Sequence, residues 1–152
     1  MDKKLQGKKN RASGQRFELK VRKDLESQGW IVDKWTNNVK FTDAEWHGKL
    51  PNWFGELIPA KRKYNPFNKA LAIGTGFPDF IAFKSIREGL AYAFRLYEVI
   101  GVEVKSNGYL SKEEKEKAKW YLKNNYCSTF LVAYKTKEKN KVKVNYKEFK
   151  ND

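Results

Sequence analysis

Apolar residues recur every four positions at Phe17, Val21 and Leu25, which predicts a helix with one buried stripe. Ser13 offers its N-cap and Gly29 suits its C-terminal end. Residues 1–12 are basic and polar without periodicity, and read as a flexible basic arm. Trp30 to Trp35 is a short β-rich run. From 37 to 72 the periodicity fails, and Pro51, Pro59 and Pro66 break any long element. Loops are expected there, with one short helix near Thr42 to Trp46. Phe77 to Phe83 reads as a strand. Residues 91–105 read as a central strand, with a turn upstream near Glu88 and Gly89. Ser111 and Glu114 have capping-box spacing, and Ala118, Tyr121 and Leu122 give the helix they open one apolar face. Glu113 and Lys117 are an i, i+4 pair expected on its solvent side. Thr129 to Tyr134 reads as a buried strand. Val142, Val144 and Tyr146 alternate with Lys141, Lys143 and Asn145, as on a half-exposed edge strand.

The order helix, strand, strand, strand, helix, strand, strand predicts an α/β fold with a mixed central sheet flanked by helices. One domain over 13–152 suffices for 152 residues. Trp46, Trp53, Phe54, Tyr64 and Phe67 are interleaved with lysines and Arg62, so residues 40–70 or so look like an aromatic-basic insertion. It could cap the core or face a substrate.

Charge changes the picture. Lys and Arg number 32 against 18 Asp and Glu, a formal net charge of +14. A field of that sign gathers polyanions, and nucleic acid is the expected partner. No stretch is apolar for the ~20 residues that span a bilayer, and no signal peptide opens the chain, so an intracellular, cytoplasmic setting is expected. Cys127 is the only cysteine, which excludes an internal disulfide and a multi-thiolate zinc site. It reads as a small buried residue. His47 is the only histidine and lies in an irregular aromatic stretch, with no Gly-x-Ser-x-Gly elbow in the chain.

Two acids sit where a structural residue does not belong. Asp79 interrupts the apolar run Phe77 to Phe83, and a carboxylate there is costly unless its charge is matched. Glu103 and Lys105 lie two apart on one strand and share a face, while Val102 and Val104 project from the other. An isolated Glu-x-Lys is usually a plain surface ion pair. A second acid from a neighbouring strand changes that reading, and Asp79 supplies one. Two carboxylates meeting at one point repel, and a hard divalent cation relieves the repulsion. Mg²⁺ suits one or two carboxylates plus waters, and Mn²⁺ can substitute. Lys105 can then orient a water and offset charge that grows during reaction.

Pro78-Asp79 followed by Glu103-Val104-Lys105 resembles the PD-(D/E)XK nuclease superfamily, and within it the archaeal Holliday-junction resolvases and related virus-type nucleases. Gly14 to Glu18 resembles the family's Gly-x-x-x-Glu, which implies that Glu18 also serves the metal site. Ser106 after Lys105 matches the resolvases' Glu-Val-Lys-Ser, and Leu110-Ser111 opens a helix as in that group. The chain departs where members often carry Gln, reading Lys112-Glu113-Glu114-Lys115. The resemblance spans roughly residues 13–134 without the insertion. It implies a restriction-endonuclease-like fold, Mg²⁺-dependent cleavage of branched DNA and a homodimer.

Lys61, Arg62 and Lys63 form the densest basic cluster outside the N-terminal tail, and are candidate nucleic-acid contacts beside Ser106. Gly74-Thr75-Gly76 lacks the Lys-Ser/Thr of a P-loop and reads as a turn that lets backbone approach near Asp79. Two other functions stay open: a DNA-binding module of the same fold without chemistry, and a nuclease for linear DNA or RNA.

Overall fold

The computed structural model describes residues 3–47, 54–65, 70–73, 76–86 and 96–150. Five strands form a mixed sheet in the order β1-β6-β7-β8-β9: β1 is Ile31–Lys34, β6 Phe80–Ser85, β7 Tyr97–Val104, β8 Thr129–Glu138 and β9 Lys141–Glu148. Only β7 and β8 pair in parallel. A parallel pair needs a crossover, and helix α3 (Lys112–Lys123) supplies it. Helix α1 (Lys3–Ser27) packs on one face through Phe17, Val21 and Leu25, against Val32, Phe80, Ala82, Ile100, Val102 and Ala133. Ala118, Trp120 and Tyr121 of α3 pack with Phe77, Cys127 and Phe130 in a second core on the opposite face. The result is a single α/β domain with helices on both sides of a mixed sheet. Each fully buried large apolar side chain adds about 1.5–3 kcal/mol.

Several elements lie where the periodicity puts them. The α1 C-terminus is a Schellman turn. Gly29 takes φ +87°, its N–H donates to the Glu26 carbonyl, and the Trp30 N–H reaches back to Leu25. The capping box of α3 is complete. Strand β9 ends the sheet with Lys141 and Lys143 exposed, a charged edge that resists pairing with another chain. Cys127 is buried, and burial pushes its thiol up to about 11.

Other expectations fail. Helix α1 starts at Lys3, so residues 3–12 are helical and Ser13 lies inside the helix instead of capping it. Arg, Lys, Gln and Leu have good helix propensity, and a solvated helical extension needs no apolar stripe. Lys117 is 8% exposed and turned inward over the Phe77 ring, although it does pair with Glu113 at 2.6 Å. The irregular stretch contains the expected short helix, α2 (Asp43–Trp46), but also four strands. Strands β2 (Asn37–Lys40) and β3 (Glu56–Pro59) pair with each other, as do β4 (Arg62–Asn65) and β5 (Ala70–Ile73). Four residues are too few to display a period. The turn near Glu88 and Gly89 and the start of the run at Ala91 lie outside the described residues.

The first part of the insertion caps the core. Val39 and Phe41 join the α3-side core, and the Trp120 indole donates to the Gly55 carbonyl at 2.9 Å. Much of the aromatic content is placed here. The Phe77 and Phe130 rings stack at 5.6 Å, and those of Trp120 and Tyr126 at 4.9 Å. No described helix is long and apolar enough to cross a membrane.

Candidate active site

Asp79 and Glu103 meet because of strand register. Strands β6 and β7 pair antiparallel down to Phe80 opposite Val102. One position further, Asp79 and Glu103 stand opposite each other at the end of the ladder, on the α3 face. The backbone locks both side chains. The Val104 N–H donates to Asp79 Oδ2 at 2.9 Å, and the Asp79 N–H donates to Glu103 Oε2 at 3.1 Å.

The segment before Asp79 is held just as closely. The Trp35 indole donates to the Tyr121 hydroxyl, which donates to the Phe77 carbonyl, each at 2.7 Å. The Phe77 N–H donates to the Asn37 carbonyl at 2.8 Å. Gly76 is required here: a Cβ would lie 2.3 Å from the Trp35 carbonyl oxygen. The expected close backbone approach is therefore real at Gly76, while 74 and 75 lie outside the described residues.

Two lysines knit the acids together. Lys105 Nζ lies 3.2 Å from Glu103 Oε1 and 2.5 Å from Glu114 Oε1. Glu114 divides its carboxylate, since Oε2 accepts the Ser111 N–H of the capping box at 2.7 Å. On the other side, Lys34 Nζ bridges Glu18 at 2.8 Å and Asp79 at 3.1 Å. Glu18 comes from α1 and Glu114 from α3, so groups from both faces converge at this end of the sheet. Glu18, Asp79, Glu103, Lys105 and Glu114 line one cavity of about 340 Å³, with Asn38, Ser111 and the Glu113–Lys117 pair.

The electrostatics follow from that packing. Glu103 is 6% exposed. Burial first, then the neighbouring Asp79, pushes its carboxyl up to about 8 against the pull of Lys105. Burial alone would lower the Lys105 ammonium, but bonds to Glu114 and Glu103 hold it above its ordinary value. Lys34 is raised likewise: Glu18 and Asp79 outweigh its burial. Glu114 is lowered, because Lys105 and Ser111 outweigh the effect of burial.

Comparison with family models, with curated proteins and with solved structures gives no match.

The expected quartet of Glu18, Asp79, Glu103 and Lys105 is thus brought together. Ser106 is not part of it: it lies exposed in the following turn, outside the cavity lining. Lys61 is exposed, while the Arg62 and Lys63 side chains lie outside the described residues. His47 directly follows α2, where its ring Nδ1 lies 2.7 Å from the Asp43 carbonyl. Lys34 and the second role of Glu114 escaped the sequence. Lys34 carries no local mark, since only the pairing of β1 with β6 sets it beside Asp79. Glu114 was legible as a cap, and its unused oxygen was the available clue.

The donor set suits a hard divalent cation. It is all carboxylate oxygen, as Mg²⁺ prefers. When every group is ionised, four carboxylates face two ammoniums, a surplus of two negative charges in a strongly basic protein. Among the described residues no three acid, His or Cys side chains form a ready-made metal cage.

Proposed function

We propose that this chain is a Mg²⁺-dependent nuclease of the PD-(D/E)XK type, with a restriction-endonuclease-like fold, and that it hydrolyses phosphodiester bonds in DNA. One observation carries the reading: Asp79 and Glu103 are pinned opposite each other at the end of the β6–β7 ladder, in a cavity they share with Lys105.

Asp79 and Glu103 would hold the ion, with Glu18 at the rim. Bound there, Mg²⁺ supplies Lewis-acid polarisation of a phosphoryl oxygen and acidifies a water. The protein's own groups do the rest. Lys105 stays protonated at neutral pH, because its bonds to Glu114 and Glu103 outweigh its burial. It therefore serves as a fixed cation and donor instead of a general base, aimed at charge that develops on phosphate. Glu114, anchored by Ser111, sets where the ammonium points. The Val104 N–H fixes the Asp79 carboxylate, so its orientation needs no further ordering when substrate arrives.

Branched DNA is the proposed substrate and a homodimer the proposed assembly, both drawn from the resemblance to junction resolvases. A binding module without chemistry is the second reading. It draws on the lysine partners that both acids already have. Assays of the purified protein on junction, fork, linear and single-stranded DNA, with Mg²⁺ and with chelator, separate the two. Cleavage that requires Mg²⁺, is supported by Mn²⁺ and is highest on the junction is expected. Binding without cleavage on every substrate, with either metal, would leave only the module.

A further inference from the structure

A groove larger than the acid cavity lies apart from it, between α1 and the β8–β9 hairpin. Its volume is about 980 Å³. Lys20 and Lys23 line it from the helix, and Lys139, Lys141 and Lys143 from the hairpin. Two acids also line it, and both are engaged. Asp24 accepts the Tyr146 hydroxyl at 2.7 Å and the Gln28 amide at 2.8 Å, while Glu138 pairs with Lys143 at 3.2 Å. Lys20 donates to the Val142 carbonyl. Lys23, Lys139 and Lys141 have no ion-pair partner among the described residues, and the five lysines of the lining outnumber its two acids, which leaves the groove net positive.

The hairpin's position matters. Strand β7 pairs with β8 only as far as Val104 opposite Ala133. Beyond that, Tyr134–Glu138 pair with β9 alone. This two-stranded arm runs on for five residues, about 17 Å, past the level of Val104. Helix α1 supplies Glu18 to the acid cavity and Lys20 to the groove, two residues apart. Side chains two apart on a helix project to nearly opposite sides, so the groove lies across α1 from the acid cavity, toward the same end of the sheet. At the hairpin tip Lys139 and Asn140 take φ of +45° and +63°. A two-residue turn of this hand favours Asn or Gly at both positions, yet a lysine stands at the first. The backbone thus accepts local strain to set an ammonium at the tip.

We propose that this groove binds the phosphate backbone of duplex nucleic acid flanking the cleavage site, with α1 and the hairpin as its two walls. The inference rests on the nuclease reading for its substrate but does not need catalysis. A duplex fits better than a single strand. Among the described residues no aromatic ring lines this groove, and single strands are gripped largely by base stacking on such rings. Lysines in a groove suit backbone charge and carry no sequence preference.

The test is duplex binding by fluorescence anisotropy in chelator across a KCl series. It compares K23Q/K139Q/K141Q with a control of equal charge change outside the lining of both the groove and the acid cavity, K84Q/K119Q/K123Q. Losing three phosphate contacts should flatten the slope of log K against log[KCl] by about 2–3. Affinity near 0.1 M KCl should fall on the order of tenfold, and the control should change far less. Equal losses in both variants, an unchanged slope, or no duplex binding by the wild type would overturn the groove assignment. A single strand that binds as tightly, with the same loss of slope, would overturn the duplex. A protein that binds through the groove but never cleaves retires the nuclease reading and leaves this one standing.

Discussion

Asp79→Asn and Glu103→Gln each lower Mg²⁺-dependent cleavage by roughly 10³-fold or more, while duplex affinity in chelator changes by less than about threefold. The split follows from geometry. Both acids lie in the cavity, and the lysines without an ion-pair partner lie in the groove. Either amide keeps an oxygen that can accept the same backbone N–H, from Val104 or from Asp79, so the local fold survives. What is lost is anionic charge at the point where a cation must bind. Lys105→Met should lose about 10²–10³-fold in kcat, with metal affinity retained, because the ammonium acts on charge that grows in the transition state. Single-turnover cleavage with each variant at saturating Mg²⁺ checks all three. Wild-type rates in Asp79→Asn would remove the acid pair from the chemistry.

The second large effect concerns stability, and its sign is opposite to the usual carboxylate case. The Glu103 carboxyl sits near 8 in the folded protein because of burial and Asp79, against an unfolded value of about 4.3. The folded state therefore holds a proton that the unfolded state releases. Its contribution is fully present below the unfolded value and is lost as pH rises through the folded one. In metal-free protein, Glu103→Gln should be close to wild type near pH 5 and more stable by about 2–4 kcal/mol near pH 9. For a chain of this length that is about 5–12 °C in Tm. Thermal melts of both proteins in chelator, at several pH values, check this. A gap that stays constant with pH would mean that Glu103 is ionised throughout. A divalent cation bound as proposed would relieve the cost of an ionised Glu103 carboxyl in the cavity.

How far the sequence could be read depended on distance along the chain. Local signals held. The four-residue recurrence Phe17-Val21-Leu25, Gly29 at the helix end and the Ser111–Glu114 box all describe neighbours within one turn or two. The core of the site was legible as well, because an acid in an apolar strand is conspicuous and alternation sets Glu103 and Lys105 on one face. Contacts made by sheet pairing were not. Lys34 reaches Asp79 across 45 residues because β1 docks on β6, and nothing near Lys34 announces it. Strands β2 to β5 are four residues each, too short to show alternation, and β2–β3 is held by packing such as Phe41 against Gly55. The start of α1 was missed for the reverse reason. Its first turns bury nothing, so they leave no stripe, and propensity alone carries them.

The proposed chemistry requires a divalent cation shared by two opposed carboxylates. Calorimetric titration of Mn²⁺ into the wild type, Asp79→Asn and Glu103→Gln at pH 8 measures that directly. Saturable binding to the wild type, accompanied by proton release and abolished in both variants, is the predicted result. Wild-type affinity retained in either variant, or no binding in any of the three, contradicts it.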